Sequence, residues 1–209
     1  MIVGIDLDNT IISYDKCLHK IALERGCIPD DFPLQKRTIR DHVRREFGDI
    51  EWQKLQIAIY GDSIGDAELM PGAWKFLSAL KERGYPFKIV SHKTRYPNFG
   101  DVKVDLRQSA MDFLNERGFF DSHGLGMCVE DVFFLSTRKA KVMKIAELEC
   151  GIFIDDLEEV FVEPGFPEGV LKILFSPESE DRVLPGVVVF STFDQITDYT
   201  LNIGRNTNG

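Results

Sequence analysis

Two aspartates near the start of the chain have the spacing and setting of a pair that works on a phosphate ester. Residues 2–7 are mostly apolar and β-prone, so they predict a buried strand with Asp6 and Asp8 at its carboxyl end. Asp6 could attack phosphorus and form an aspartyl-phosphate. Asp8, two residues further on, would point in a different direction from Asp6. It could protonate the leaving oxygen and later take a proton from the water that hydrolyses the intermediate.

Polar side chains also end two later predicted strands and open one predicted helix. Ser91 ends a short strand and, with nearby main-chain amides, could bind phosphate oxygens. Lys141 begins a helix and is the candidate cation beside the phosphate, while Asp155 and Asp156 end a further strand. Each feature alone has a structural explanation, such as a turn or a helix cap. Their combination at strand ends and helix starts favours a site.

The clustered carboxylates predict Mg²⁺ as the cofactor. This cation prefers hard oxygen ligands, and it offsets the negative charge that protects a phosphate ester from nucleophiles. We expect Asp6 and Asp155 to bind the metal, with Asp156 as a third candidate. Asp8 would contribute through its main-chain carbonyl rather than its carboxylate.

The elements that must position these residues predict an α/β fold, a Rossmann-like three-layer arrangement around a mostly parallel sheet. In such sheets ligands bind beyond the carboxyl ends of the strands, where the polar residues collect. Strands are predicted at 2–7, 87–91, 131–135, 151–154, 171–175 and 187–190. The helices expected around them are 71–84, 105–117, 138–149 and 191–200, and helices 16–25, 35–47 and 51–60 follow the first strand.

These motifs resemble the four motifs of the haloacid dehalogenase-like hydrolase superfamily. Asp6-Leu-Asp-Asn-Thr10 resembles its first motif, which is the most specific, and Ile89-Val-Ser91 resembles its second. Asp155-Asp156 after an apolar strand resembles the fourth, acidic motif. The third motif is a single Lys and is weak in sequence.

Residues 15–69 have helical patterns without a strand and leave the predicted sheet directly after the first strand, so they predict a small helical cap inserted into an α/β core of residues 1–14 and 70–203. Residues 204–209 are expected to form a disordered tail. Members of the superfamily often have Gly after the second aspartate. Asn9 stands there in this chain and tolerates the same turn conformations.

The resemblance also implies a role for each matching residue. Asp6 would be the nucleophile, Asp8 the general acid and base, and Ser91 a phosphate ligand. Thr10 would orient Asp8 or the phosphate-binding loop. Asp155 would bind Mg²⁺, and Asp156 would bind it directly or through water. The third-motif residue could be Lys139, Lys141 or Lys144, and the helix phase favours Lys141.

Asp8 narrows the reaction that the resemblance implies, since dehalogenases of the superfamily lack this second carboxylate. The expected activity is Mg²⁺-dependent hydrolysis of a small phosphorylated metabolite, such as a sugar phosphate or a nucleotide. A phosphotransferase or mutase would share the aspartyl-phosphate and stays an alternative. A non-catalytic member that binds a phosphorylated ligand or a protein is a second alternative, although binding alone does not require Asp8.

Several cationic side chains are candidates for substrate contact. His92 and Lys93 follow Ser91 directly and would line the rim of the pocket, with His92 close enough to bind phosphate; the alternative is a solvated loop. Arg40 and Arg44 share one flank of a cap helix. They could meet an anionic substrate, or they could belong to an exposed face balanced by nearby acids.

Composition limits the other classes of function. The formal net charge of −9 disfavours binding to nucleic acid, and we expect neither a membrane span nor a signal peptide. Four scattered cysteines indicate neither a zinc site nor a disulfide framework, so a cytoplasmic location is expected. The oligomeric state and the physiological substrate cannot be predicted from this sequence.

Overall fold

The computed structural model describes residues 1–100, 103–178 and 184–206, with the side chains of 204–206 excepted. The chain divides into two compact units. The first unit comprises Met1–Ile11, Leu69–Lys93 and Phe120–Gly209, and the second comprises Ile12–Glu68 and Thr94–Phe119.

The described residues form eight short strands and eight α-helices. The strands are β1 (Ile2–Ile5), β2 (Ile12–Ser13), β3 (Glu68–Leu69), β4 (Phe87–His92), β5 (Val132–Leu135), β6 (Cys150–Asp155), β7 (Leu171–Phe175) and β8 (Val187–Phe190). The helices are α1 (Asp15–Glu24), α2 (Lys36–Phe47), α3 (Asp49–Tyr60), α4 (Ala73–Glu82), α5 (Leu106–Glu116), α6 (Arg138–Glu147), α7 (Glu158–Phe161) and α8 (Phe193–Asn206).

The first unit is built on a six-stranded sheet in the order β5-β4-β1-β6-β7-β8. Every pair of neighbouring strands in it is parallel. The prediction of an α/β fold around a parallel sheet is therefore confirmed. Parallel strands in such folds have apolar residues on both faces, which is why short apolar runs were sufficient to predict them.

Helices of the first unit bury one apolar face each. In α4 this face consists of Ala73, Phe76, Leu77 and Leu80. In α6 the buried apolar residues Val142 and Ile145 belong to a core cluster that also contains Val90, Phe153 and Leu174 of the sheet.

The second unit is helical. Helix α2 packs on α3, and α1 contacts both of them. The buried stripe of α2 is Ile39 and Val43, and that of α3 is Trp52, Leu55 and Ile59. Phe47, at the last position of α2, is half exposed.

Helix α5 differs from the expected division of the chain, because it belongs to the second unit. Asp105 caps its N-terminus by accepting hydrogen bonds from two main-chain N–H groups, and its buried face contacts α3. Just beyond α5, the Arg117 guanidinium donates to the main-chain oxygens of Gly65 and Ala67. The apolar period of a helix predicts which face is buried but not which surface covers it.

Helix α8 continues through Asn206, so the predicted tail 204–209 overlaps the helix in its first three residues, and 207–209 lie outside the described residues. No helix in the described part of the chain combines the length and apolar character needed to cross a membrane. The interpretation of residues 15–69 as a cap stays a prediction.

A glycine in the middle of the sheet provides a test of its packing. A Cβ atom on Gly4 would lie 2.6 Å from the Phe153 ring and 2.9 Å from the Cys150 sulfur. We expect Gly4→Ala to lower the free energy of unfolding by about 1–3 kcal/mol, because a close-packed core must shift to admit the methyl group. Urea unfolding measures the difference.

Gly65→Ala is the matched control. A Cβ atom there would meet nothing within 4 Å, and the backbone of Gly65 is not in the left-handed region. The control should change the free energy of unfolding by no more than about 0.5 kcal/mol. Equal effects of the two substitutions would contradict the close packing of β1 on β6.

Candidate active site

Three neighbouring strands bring polar side chains to one edge of the sheet. Strand β1 lies between β4 and β6, and Ile5 is aligned with Ile89 on one side and Ile154 on the other. Asp6 and Asp155 come directly after the aligned residues of β1 and β6, and Ser91 comes two residues after Ile89 on β4. The Asp6 main-chain N–H donates to the Ile154 carbonyl oxygen at 2.9 Å, which continues the ladder up to the site.

A buried lysine joins two of these strands. The Lys141 ammonium donates to Asp6 Oδ1 at 2.5 Å and to Asp155 Oδ2 at 2.6 Å, and its side chain is only 1 % exposed. It reaches them from the first turn of α6, which is capped by the hydroxyl of Thr137. Lys139 is exposed, and Lys144 pairs with Glu147 instead. Lys141 is thus the one of the three candidates that contacts Asp6.

Burial and charge act against each other on this cluster. Burial raises the pKa of Asp6 to about 7 despite the attraction of Lys141, and the carboxylates of Asp155 and Asp8 contribute in the same direction. Burial disfavours the Lys141 ammonium as well, but Asp155 and Asp6 outweigh it and hold the pKa of Lys141 above its ordinary value. Lys141 therefore stays charged. Any additional cation near Asp6 would favour the ionised form of its carboxylate.

The same edge contains a group of carboxylates with the dimensions of a metal site. One oxygen from each of Asp6, Asp155 and Asp156 lies within 4.8 Å of the others. All three are hard oxygen donors, which suit Mg²⁺ better than a softer metal. The Asp8 carboxylate is not in this group. Asp155 is further held by accepting a hydrogen bond from the Leu157 main-chain N–H at 3.0 Å.

Two hydroxyl groups of the site have no hydrogen-bond partner among the described residues. Ser91 Oγ and Thr10 Oγ1 are both buried and unsatisfied. A buried hydroxyl without a partner costs free energy, so such groups are rare in native proteins unless something else binds them. An anion bound beside either hydroxyl would accept the hydrogen bond that this hydroxyl lacks.

The turn after β1 depends on a residue in the left-handed region. Asn9 has a φ of 63°, and the turn closes with a hydrogen bond from the Ile11 N–H to the Leu7 oxygen at 2.9 Å. Asn adopts this conformation more readily than most residues, which explains why it can stand where a Gly is often found. Beside this turn, Asp6 contacts Lys141 and Asp8 contacts Lys93.

Lys93 differs from its expected environment. The alternative of a solvated loop is wrong for this residue, because its side chain is 3 % exposed and its ammonium contacts both carboxylate oxygens of Asp8, at 2.7 and 3.0 Å. The contact was missed because the strand was predicted to end at Ser91. The two-residue period of a strand puts Lys93 on the same side as Ser91, and this was the available signal.

The other candidates occupy less distinctive positions. The His92 ring nitrogen Nε2 lies 3.3 Å from the Ser136 main-chain oxygen at the end of β5. In the second unit, Arg40 pairs with Asp41 and Arg44 pairs with Asp49, each at 2.8 Å. Substrate contact by His92, Arg40 and Arg44 stays a prediction.

Comparison with known proteins supplies a fold relationship. No protein-family model and no curated protein matches the sequence. Among solved structures, a putative haloacid dehalogenase (HAD) hydrolase from Bacillus subtilis bound to magnesium is similar to this chain, with 14 % identity and a TM-score of 0.58 over 95 % of this chain and 97 % of that one.

Two further structures have the same identity and TM-score. One is a HAD family hydrolase from Deinococcus radiodurans with bound phosphate and sodium, covering 97 % of this chain and 95 % of that one. The other is a predicted phosphatase from Clostridium acetobutylicum, covering 96 % and 98 %. The similarity extends over nearly the full length of each chain at low identity, and the protein therefore has the fold of the haloacid dehalogenase-like hydrolases.

Proposed function

We propose that this protein is a Mg²⁺-dependent phosphohydrolase that acts on small phosphate monoesters through an aspartyl-phosphate. One observation supports this function above the others: Lys141 joins Asp6 to Asp155 at an edge where Ser91 and Thr10 have buried hydroxyls without partners among the described residues. A nucleophile, a cation and unsatisfied donors in one place are what a phosphoryl group requires.

The chemistry of the first step follows from these contacts. An oxygen of Asp6 attacks phosphorus while the bond from phosphorus to the leaving oxygen breaks. Lys141 keeps its positive charge beside the reacting carboxylate and offsets the negative charge of the phosphoryl oxygens. The hydroxyls of Ser91 and Thr10 donate to those oxygens and fix their orientation.

The proposed metal ligands are the carboxylates of Asp6, Asp155 and Asp156, together with the main-chain oxygen of Asp8. Mg²⁺ bound there would offset the negative charge of the phosphate oxygens and favour the ionised form of Asp6. The fit rests on the spacing of the three carboxylates and on their hard donor atoms.

Asp8 is the proposed general acid and base. Its proton passes to the leaving oxygen in the first step. In the second step Asp8 accepts a proton from water, whose oxygen attacks phosphorus and releases Asp6 and inorganic phosphate. This second carboxylate distinguishes phosphate ester hydrolysis from a reaction whose leaving group requires no proton. Proposed substrates are small metabolites, such as sugar phosphates or nucleotides.

The nucleophile is tested by Asp6→Asn. We expect the variant to lose phosphatase activity by about 10³-fold or more on a panel of phosphorylated metabolites and on 4-nitrophenyl phosphate, because an amide cannot form the intermediate. Phosphate release gives the rate. Acid-quenched wild type should contain a phosphorylated peptide that includes Asp6.

Asp194→Asn is the control for this substitution, since Asp194 is exposed and pairs only with surface Lys75 in the described contacts. It should retain wild-type activity. Equal rates for wild type and Asp6→Asn, or a phosphorylated peptide elsewhere in the chain, would exclude Asp6 as the nucleophile.

The metal is tested by thermal unfolding as well as by activity. Mg²⁺ at 100 times its dissociation constant should stabilise the wild type by about 2.7 kcal/mol, seen as a rise in melting temperature. Asp155→Asn should greatly reduce this rise, because one of the three clustered carboxylates is lost. Chelator should abolish phosphatase activity in the wild type.

Asp194→Asn again provides the comparison and should respond to Mg²⁺ as the wild type does. A melting temperature that does not change when Mg²⁺ is added, or full activity in chelator, would contradict the metal assignment. An equal response of Asp155→Asn and the control would locate the metal at other ligands.

A further inference from the structure

We propose that Lys93 is a positioning residue for Asp8, and that it holds this carboxylate toward the leaving group rather than toward the metal ligands. The inference rests on the proposed function and adds to it a residue that acts only through the acid and base. It also replaces the sequence-based expectation that Lys93 selects the substrate.

The contact between Lys93 and Asp8 restricts the position of the Asp8 carboxylate. The Lys93 ammonium lies 2.7 and 3.0 Å from the two oxygens of Asp8, so it meets both ends of the carboxylate. The Lys93 side chain is 3 % exposed and that of Asp8 is 16 % exposed. A buried ammonium cannot leave its counter-charge without a large desolvation cost, so the pair is favoured in one arrangement.

The backbone on the lysine side is equally constrained. Lys93 follows the last residue of β4 directly, and its main-chain N–H donates to the Leu135 oxygen of β5 at 2.9 Å. The ammonium is therefore presented from the end of a paired strand instead of a free loop. A site supported by such an element is positioned more precisely than one on a loop.

The two buried lysines divide the carboxylates between them. Lys141 contacts Asp6 and Asp155, both of which belong to the group spaced for a metal. Lys93 contacts Asp8, whose carboxylate is outside that group. The proposed nucleophile and the proposed general acid thus contact different cations. This separation prevents the Asp8 side chain from competing as a metal ligand.

The importance of this positioning depends on the leaving group. When Asp8 donates its proton, the bond from phosphorus to the leaving oxygen breaks, the bond from Asp6 to phosphorus forms, and the departing alcohol is neutral. Lys93 makes and breaks no covalent bond. A basic alkoxide requires this proton, whereas 4-nitrophenolate leaves without it, so only the alkyl ester should depend strongly on a well-placed Asp8.

The test compares wild type with Lys93→Met on two substrates, an alkyl phosphate that the wild type hydrolyses and 4-nitrophenyl phosphate. We expect kcat/KM for the alkyl ester to fall about 10²-fold and kcat/KM for the aryl ester to fall by about threefold or less. The ratio of the two losses is the readout, because kcat/KM reports steps up to the departure of the leaving group.

Lys88→Met is the matched control. Lys88 lies on β4, the strand that Lys93 directly follows, is partly buried, and forms an ion pair with Asp131. Its loss should lower the melting temperature without changing the ratio of alkyl to aryl activity. This control separates the loss of any paired lysine in or next to β4 from the loss of the one that contacts Asp8.

Two further variants keep the test decisive if Lys93→Met folds poorly. Asp8→Asn removes the carboxylate that Lys93 contacts, and the double variant Asp8→Asn/Lys93→Met removes both charges of the pair. A residue that acts only through Asp8 adds nothing once Asp8 is lost, so their kcat/KM values for the alkyl ester should agree within about twofold.

The outcomes separate this inference from the proposed function. Hydrolysis of both esters by wild type, with equal losses in Lys93→Met, would leave the phosphatase intact and overturn the positioning role. A change in KM alone would assign Lys93 to substrate contact, and an additional loss in the double variant would do the same. A wild type that hydrolyses no phosphate ester would overturn the proposed function and this inference together.

Discussion

The ammonium group of Lys141 lies between two carboxylates from different strands, and the arrangement of the site depends on this buried charge. An isolated lysine at this depth would lose its hydration without compensation, at a cost of several kcal/mol. Asp6 at the end of β1 and Asp155 at the end of β6 supply the compensation. Helix α6 and two central strands are thereby tied at the edge of the sheet where ligands bind in this class of fold.

The strand order makes this charge cluster possible. β1 and β6 are neighbours at the centre of the sheet, and β4 lies on the other side of β1. Their aligned ends place Ser91 at the same edge of the sheet as the acidic pair, and the Asp8 carboxylate contacts Lys93. The apolar sheet below supplies the low-polarity surroundings that raise the pKa of Asp6. A polar site of this kind is stable only because every cation in it is paired.

The parallel sheet was predictable because buried strands are continuous apolar runs that end in polar residues. The run before Asp155 is an example: residues 151–154 were expected and Cys150–Asp155 was found. The order of the strands could not be predicted, since it depends on packing between distant segments. Helix α7 has four residues, too few to produce a periodic pattern. Helix α5 showed a clear apolar face, yet nothing local identified the surface that covers it.

The candidate site was predictable to the extent that chemistry limits residue types. Few residues of these types stand at a predicted strand end or helix start. Four of them, Asp6, Ser91, Lys141 and Asp155, lie at one edge of the sheet. The pairing of Lys93 with Asp8 was not foreseen, because a run of cationic residues after a strand is more often solvated.

The partition of the chain into two units, each made of separated segments, has a consequence for biosynthesis. The second unit is complete once residue 119 has left the ribosome, whereas β1 must wait for β6 before it gains its second neighbour. A nascent chain therefore has one unit able to form early, while its first strand stays half-paired until the last third of translation.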